Sequence, residues 1–418
     1  MAALIEEASE GLVLTPDQAT DLVEQACSVE RFAGKRVLVI VPDATRSAPI
    51  GMVFKPLFHH LSKATAALDV MVALGTHPPM SEEAICERLE LSEEERRGAF
   101  ASVRFHNHAW DSESALREIG RISEREIDQL TEGRFRMEVP VEINRTLFDY
   151  DEIVIIGPVF PHEVVGFSGG NKYLFPGVAG PRILNFFHWL GAVVTNPAII
   201  GEKWTPVRKV VDKAGSMVGI PKTCFCLVVE GSGLAALSCG EPEQAWDVAS
   251  DVSAKRHITY KNHPFKSVLS CAPRMYDDLW VGGKCMYKLE PVLAEGAELI
   301  IYAPHITEVS VTHGKVLEEV GYHCRDYFLK QWDKYQDYPW GTLAHSTHVH
   351  GAGRYEDGVE TPRARVILAT GIPEEICRKI NLGYRDPATI RVEDFEGRED
   401  EGILYVPKAG ERLYRLRP

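Results

Sequence analysis

A pair of α/β domains with mostly parallel sheets is the fold class this chain predicts, and three observations predict it. Short β-branched runs alternate with helical stretches over the whole length, the pattern of parallel strands joined by crossover helices. At 418 residues the chain exceeds the size at which one hydrophobic core stops growing, roughly 250–300 residues. Polar residues capable of chemistry follow several of the strand-like runs directly, at the strand ends where open α/β sheets bind their ligands.

Taken in order, the strand-like runs are 36–41, 70–74, 103–106, 153–156, 226–229, 268–270, 299–302, 366–369 and 403–406. Pro264 breaks any preceding helix, and a fresh apolar run starts at Ser267. The predicted division is therefore 1–264 and 265–418. No internal repeat is present. Hydrophobic residues make up 45% and charged residues 25%, an ordinary folded composition, while a formal net charge of −14 would repel a phosphate backbone, so nucleic acid is not an expected partner. Glu6, Glu7 and Glu10 do not suit a secretory leader, so none is expected, and no apolar run approaches the roughly 20 residues that a bilayer requires. No membrane partner and a cytoplasmic location are expected. Nine cysteines without a CxxC pair suit reduced, buried thiols better than a disulfide framework or a zinc ribbon.

The strand ends carry the chemistry. Run 36–41 leads into Asp43-Ala44-Thr45-Arg46, run 70–74 into Gly75-Thr76-His77, and run 103–106 into Asn107-His108. Asp43 and Thr45 alone could equally be caps. After the fourth run comes Pro161-His162, then Gly166-Phe167-Ser168-Gly169-Gly170-Asn171-Lys172, where two glycines allow positive φ and a close backbone approach. Lys172 has three readings. The Walker spacing is absent, so a kinase-type phosphate lysine is disfavoured. A solvated structural lysine fits poorly with its flanks Tyr173, Leu174 and Phe175. A desolvated amine able to form a covalent bond remains.

His108 and His162 are candidates for acid/base work, because imidazole titrates near neutrality. His188 stands in the apolar helical stretch 181–190, where either metal ligation or a satisfied core histidine is possible; the residues alone favour the second. Gly282-Gly283-Lys284 before a helix-like stretch 285–294 suits a carboxylate or phosphate. The run His345–His350 alternates as a strand would, so that His348 and His350 share one face, with no Cys or Glu spaced to complete a zinc set.

Together, Asp43-Ala44-Thr45-Arg46, Gly75-Thr76-His77, Asn107-His108, the stretch from Pro161 to Lys172, His188 and Gly283-Lys284 resemble the nickel-dependent lactate racemase family, in the family's order and over most of the chain. The resemblance implies an isomerase, a racemase or epimerase of 2-hydroxy acids, with its active site in a cleft between two α/β domains. It implies a nickel-pincer nucleotide, a pyridinium mononucleotide with two sulfur arms, joined covalently to Lys172, with Asp43, Thr45, Ser168, Gly169 and Gly170 around it and His188 as the protein ligand to nickel. His108 and His162 match the family's two bases, one for each enantiomer, which take the hydroxyl proton while C2 passes a hydride to the cofactor. Arg46 and Lys284 are expected at the substrate carboxylate or the cofactor phosphate, and Trp280 and His77 near the substrate. Cofactor-biosynthesis proteins are implied as partners.

The chain departs from the lactate pattern before Lys284, with Trp280 and Val281 where lactate-acting members have tyrosine and glutamine. Losing a phenol and an amide changes which ligand satisfies the pocket. A larger 2-hydroxy acid such as a sugar acid is therefore expected, with further polar groups at His77, His106, His305 and His345–His350. The alternatives are a lactate or malate racemase and a non-catalytic cofactor-binding homologue.

Overall fold

The computed structural model describes residues 3–45 and 47–417. Arg46 lies outside the described residues. The chain divides into two compact units: one of residues 1–160, 167–184 and 208–256, the other of 161–166, 185–207 and 257–418.

The first unit is built on seven strands, β1 (Leu4–Glu7), β2 (Arg36–Pro42), β3 (Ala67–Ala73), β4 (Phe105–Asn107), β5 (Glu152–Pro158), β6 (Lys222–Glu230) and β7 (Gly233–Gly240), in the order β1-β7-β6-β5-β2-β3-β4. The five strands from β6 to β4 are parallel; β7 pairs antiparallel with β6 and β1. Alternate residues of β2 fall on opposite faces, yet Val37, Leu38, Val39, Ile40 and Val41 are all fully buried, so both faces are covered and the strand reads as a continuous apolar run. Val37, Val39 and Val41 share a core with Phe54, Leu57 and Leu61 of helix Gly51–Leu61.

Successive strands run from β2 outward to β4, and the chain then returns to lay β5 on the other side of β2. The β2/β5 junction is thus a topological switch point, where the connections leaving two neighbouring strands diverge and open a crevice at their carboxyl ends. Asp43 and Thr45 follow β2, and the glycine loop follows β5.

The second unit holds a wholly parallel sheet of β8 (Phe265–Cys271), β9 (Leu293–Ala303), β10 (Ala364–Thr370), β11 (Gly383–Tyr384) and β12 (Ile403–Val406), ordered β11-β10-β9-β8-β12. Its order reverses between β8 and β12. Trp280 and Lys284 follow β8 on two four-residue helices, Leu279–Gly282 and Lys284–Tyr287, and the helix-like stretch expected over 285–294 stops at Tyr287, with a separate 3-10 turn, Glu290–Val292, after it.

One element is corrected outright. His345–His350 is the end of a helix, Trp340–His350, and not a strand. Every residue from Gly341 to His350 is buried. A helix covered all round carries no amphipathic stripe, so periodicity does not separate it from a strand.

Candidate active site

In the first unit the switch-point residues are knitted together. The Asp43 carboxylate accepts from the Thr45 amide (3.1 Å) and hydroxyl (2.7 Å), and its other oxygen pairs with Nδ1 of His77. Burial pushes the Asp43 carboxyl up, but His77 and the Thr45 bonds outweigh it and hold it well below the usual carboxylate range. Arg88 reaches the same strand end, donating to the carbonyls of Pro42 (3.2 Å) and Ala48 (3.0 Å). Its remaining terminal nitrogen, Nη2, is buried with no hydrogen-bond partner among the described residues. Sequence reasoning misses Arg88, because an arginine on a short helix outside every strand-end motif gives no local signal.

The glycine loop is held from beneath. The Ser168 hydroxyl donates to Pro158 O (3.0 Å) and accepts from Phe160 N–H (2.9 Å), so both its capacities serve the loop itself. Gly169 and Gly170 have φ of +92° and +60°. A Cβ on Gly169 would meet Val159 Cγ2 at 2.6 Å, and one on Gly170 would meet Trp246 Cβ at 3.0 Å. The close approach the glycines permit is therefore to the protein's own wall. Trp246, fully buried, donates from its indole to Ser168 O (2.9 Å), and Arg208 lies 4.0 Å over its ring while donating to Phe167 O (2.5 Å). Asn171 donates to Asp212 (3.1 Å) and Glu243 (3.3 Å). Lys172 sits half-buried on the single 3-10 turn Gly170–Tyr173 that this scaffold fixes.

His108 follows β4 and is buried. Nε2–H donates to Ala179 O (3.0 Å), while Nδ1 accepts from the Asn144 amide (3.1 Å), whose oxygen in turn caps Thr146 N–H (3.0 Å). The ring is thus fixed in one neutral tautomer, and burial pushes its pKa down to about 4. Its basic lone pair, on Nδ1, opens only when Asn144 gives way.

In the second unit His162 is buried on a tight turn. Gly166, at φ +86°, packs so closely that a Cβ would lie 1.8 Å from Glu202 O, and Gly191 lets helix Pro181–Val194 approach Val164. His162 Nδ1 accepts from Val164 N–H (3.1 Å) and lies 3.3 Å from the Glu163 carboxylate. With its Nδ1 lone pair turned to Val164 N–H, the neutral ring carries its proton on Nε2, and an imidazolium formed by protonation at Nδ1 would be held by the Glu163 carboxylate. His188, half-buried, stacks on Phe187 at 4.9 Å. Lys284 is buried with Nζ 5.0 Å over the Tyr276 ring. The Trp280 ring stacks on His345 at 4.0 Å and 10°.

The fold thus gathers Asp43, Thr45, His77, Ser168, Gly169, Gly170, Lys172 and His108 on the first unit, and His162, His188, Trp280 and Lys284 on the second. His106 is committed to Tyr150 (3.2 Å) and His305 to Pro273 O (3.2 Å), each within its own structural bond. Among the described residues no set of three or more His, Cys, Asp or Glu could hold a metal ion, and no helix is long and apolar enough to cross a membrane.

These features define an α/β protein with a lysine-bearing glycine loop at a switch point. The model of the lactate racemase N-terminal domain matches residues 24–199. A structural-genomics target from Thermotoga maritima is similar over 98% of this chain and 100% of its own, at 33% identity and a TM-score of 0.88. The lactate racemase apoprotein from Thermoanaerobacterium thermosaccharolyticum shares the fold, with a TM-score of 0.71 and 16% identity over 95% of this chain and 93% of its own. None of the curated proteins compared matches the chain. The chain belongs to the lactate racemase-like family.

Proposed function

We propose that this protein is a racemase or epimerase that inverts C2 of a 2-hydroxy acid larger than lactate, such as a sugar acid, and that Lys172 carries a nickel-pincer nucleotide. The observation that carries the reading is the convergence of Lys172, Asp43 and Arg88 Nη2 on one strand-end crevice in a chain of this family. A buried cationic nitrogen without a hydrogen-bond partner among the described residues suits a nucleotide phosphate, and the half-buried lysine on a clamped turn suits a tether, so the residues present fit the group. When bound, the cofactor supplies a reversible hydride acceptor. His188 is the ring that would face its nickel.

The remaining steps belong to the chain. Lys284 binds the substrate carboxylate, its ammonium strengthened by burial against Tyr276; Arg46 is the second cation for a carboxylate or phosphate. Imidazole is far too weak a base to remove hydrogen from C2 of a hydroxycarboxylate, so His162 and His108 act on the hydroxyl proton. Glu163 steadies the imidazolium that His162 becomes. In deuterated water the epimerised product should then carry no deuterium at C2. Deuterium washed into C2 would replace this reading with proton abstraction.

A second reading, a homologue that binds the cofactor without turnover, draws on one observation: both nitrogens of His108 are already bonded. Protein co-produced with the cofactor-building proteins separates the two, since a loaded chain that turns over no panel of hydroxy acids would establish the second.

A further inference from the structure

Helix Trp340–His350 carries two imidazoles on one face, His345 and His348, three residues apart. Both are buried, at 8% and 3% exposure. Nε2–H of His345 donates to Trp280 O (2.9 Å), which fixes its tautomer and leaves Nδ1 as an acceptor. That Nδ1, and both ring nitrogens of His348, have no hydrogen-bond partner among the described residues. Three buried ring nitrogens without a partner among the described residues are unusual in a native fold, where buried polar groups are hydrogen-bonded. His350, on the next turn, is by contrast 3.7 Å from Glu360.

The position of the pair points to the substrate. A Cβ on Gly283 would lie 3.2 Å from His345 Nε2, so the ring rests on the backbone just before Lys284. Trp280 covers it from the other face at 4.0 Å. Glu163, the neighbour of His162, is near enough to act electrostatically on both rings. The rings therefore lie beside the backbone that leads into the lysine assigned to the carboxylate, and within electrostatic reach of the residue next to the acid/base histidine. Burial pushes His345 down to about 3 and His348 to about 4, so both are neutral at pH 7. Two neutral rings present two acceptors and one donor.

We infer that His345 and His348 form a subsite for the distal hydroxyl groups of a polyhydroxylated acid, with His348 the principal specificity residue. The inference rests on the hydroxy-acid reading above and deepens it. A hydroxyl both donates and accepts, matching the mixed set these rings offer, whereas the methyl of lactate would leave all three nitrogens buried and unpaired. A second carboxylate, an acceptor only, would meet mostly lone pairs.

The test is equilibrium dialysis of the full-length chain, co-produced with its cofactor-building proteins, against radiolabelled gluconate and lactate, for wild type, His348→Leu, His348→Gln and Lys284→Ala. Label reports total bound acid, so turnover between epimers does not disturb the reading. His348→Leu should weaken gluconate at least about tenfold, leave lactate within about twofold, and fold as stably as wild type because an unpaired polar ring has been removed. His348→Gln, which keeps a donor and an acceptor, should recover part of the loss. Equal weakening of both acids, or of neither, would overturn the subsite. If gluconate binding needs Lys284 and not His348, the subsite alone fails; if wild type binds neither acid, the hydroxy-acid reading fails with it.

Discussion

The strand-end shelf of the first unit and the buried helix of the second treat a histidine in opposite ways. His108 and His348 are both exposed by only 3%, and burial pushes both down to about 4. Yet His108 has both nitrogens bonded, to Ala179 O and the Asn144 amide, while His348 has neither bonded among the described residues. Burial and a displaced pKa are thus no guide by themselves to what a histidine does. The bonds it makes distinguish a ring whose orientation the fold has already decided from one whose capacity is left for a ligand.

The hardest break of that comparison is to remove the proposed tether. Lys172→Ala should lack any nickel-bearing adduct in intact-protein mass and nickel analysis, with turnover below detection. An adduct that persisted in the variant would put the tether elsewhere.

Next in size are the two bases. His162→Ala should lower kcat by roughly 10²–10⁴ without loss of adduct. His108→Ala sharpens the contrast: a matching loss makes it the second base, whereas intact turnover with a lower urea midpoint makes it the structural ring that its two bonds describe. Racemisation measured from each enantiomer separately gives the answer.

Trp246→Ala probes the shelf itself. It removes the wall behind Gly170, the bond to Ser168 O and the face beneath Arg208, and should destabilise the protein by about 3–5 kcal/mol in urea melts. A loss below about 1 kcal/mol would mean that the loop is held by other contacts.

The smallest effect is in pH. His108 and His348 bind fewer protons folded than unfolded between about pH 4 and the ordinary 6.5. Stability should therefore fall as pH drops through that window, with the loss complete below about 4, on the order of 3 kcal/mol per ring at most. His348→Leu should flatten the dependence, and an unchanged slope would show that His348 is not held neutral in the folded state.

Much of this is legible in the residues, and the reason is local. The central strands are apolar runs rich in β-branched residues, so composition alone marks 36–41 or 299–302, and the residues just after such a run lie at the strand's carboxyl end. The antiparallel strand β7, between β1 and β6, escapes that pattern: it is Gly-Leu-Ala-Ala-Leu-Ser-Cys-Gly, with no β-branched residue. The family motif likewise sits in short contiguous pieces.

What the sequence by itself determined is which residues stand at the strand ends: Asp43, Thr45, His77, His108 and the loop that carries Lys172. Only the tertiary structure decided what surrounds them. Asn144 reaches His108 across 36 residues and Ala179 across 71, Trp246 walls a loop 78 residues away, and the surrounding core turns 340–350 into a buried helix that sets His345 beside His348. Such partners are chosen by packing between distant segments, where local pattern carries no information, because the free energy of a buried polar group depends on what meets it in space and not on its neighbours in the chain.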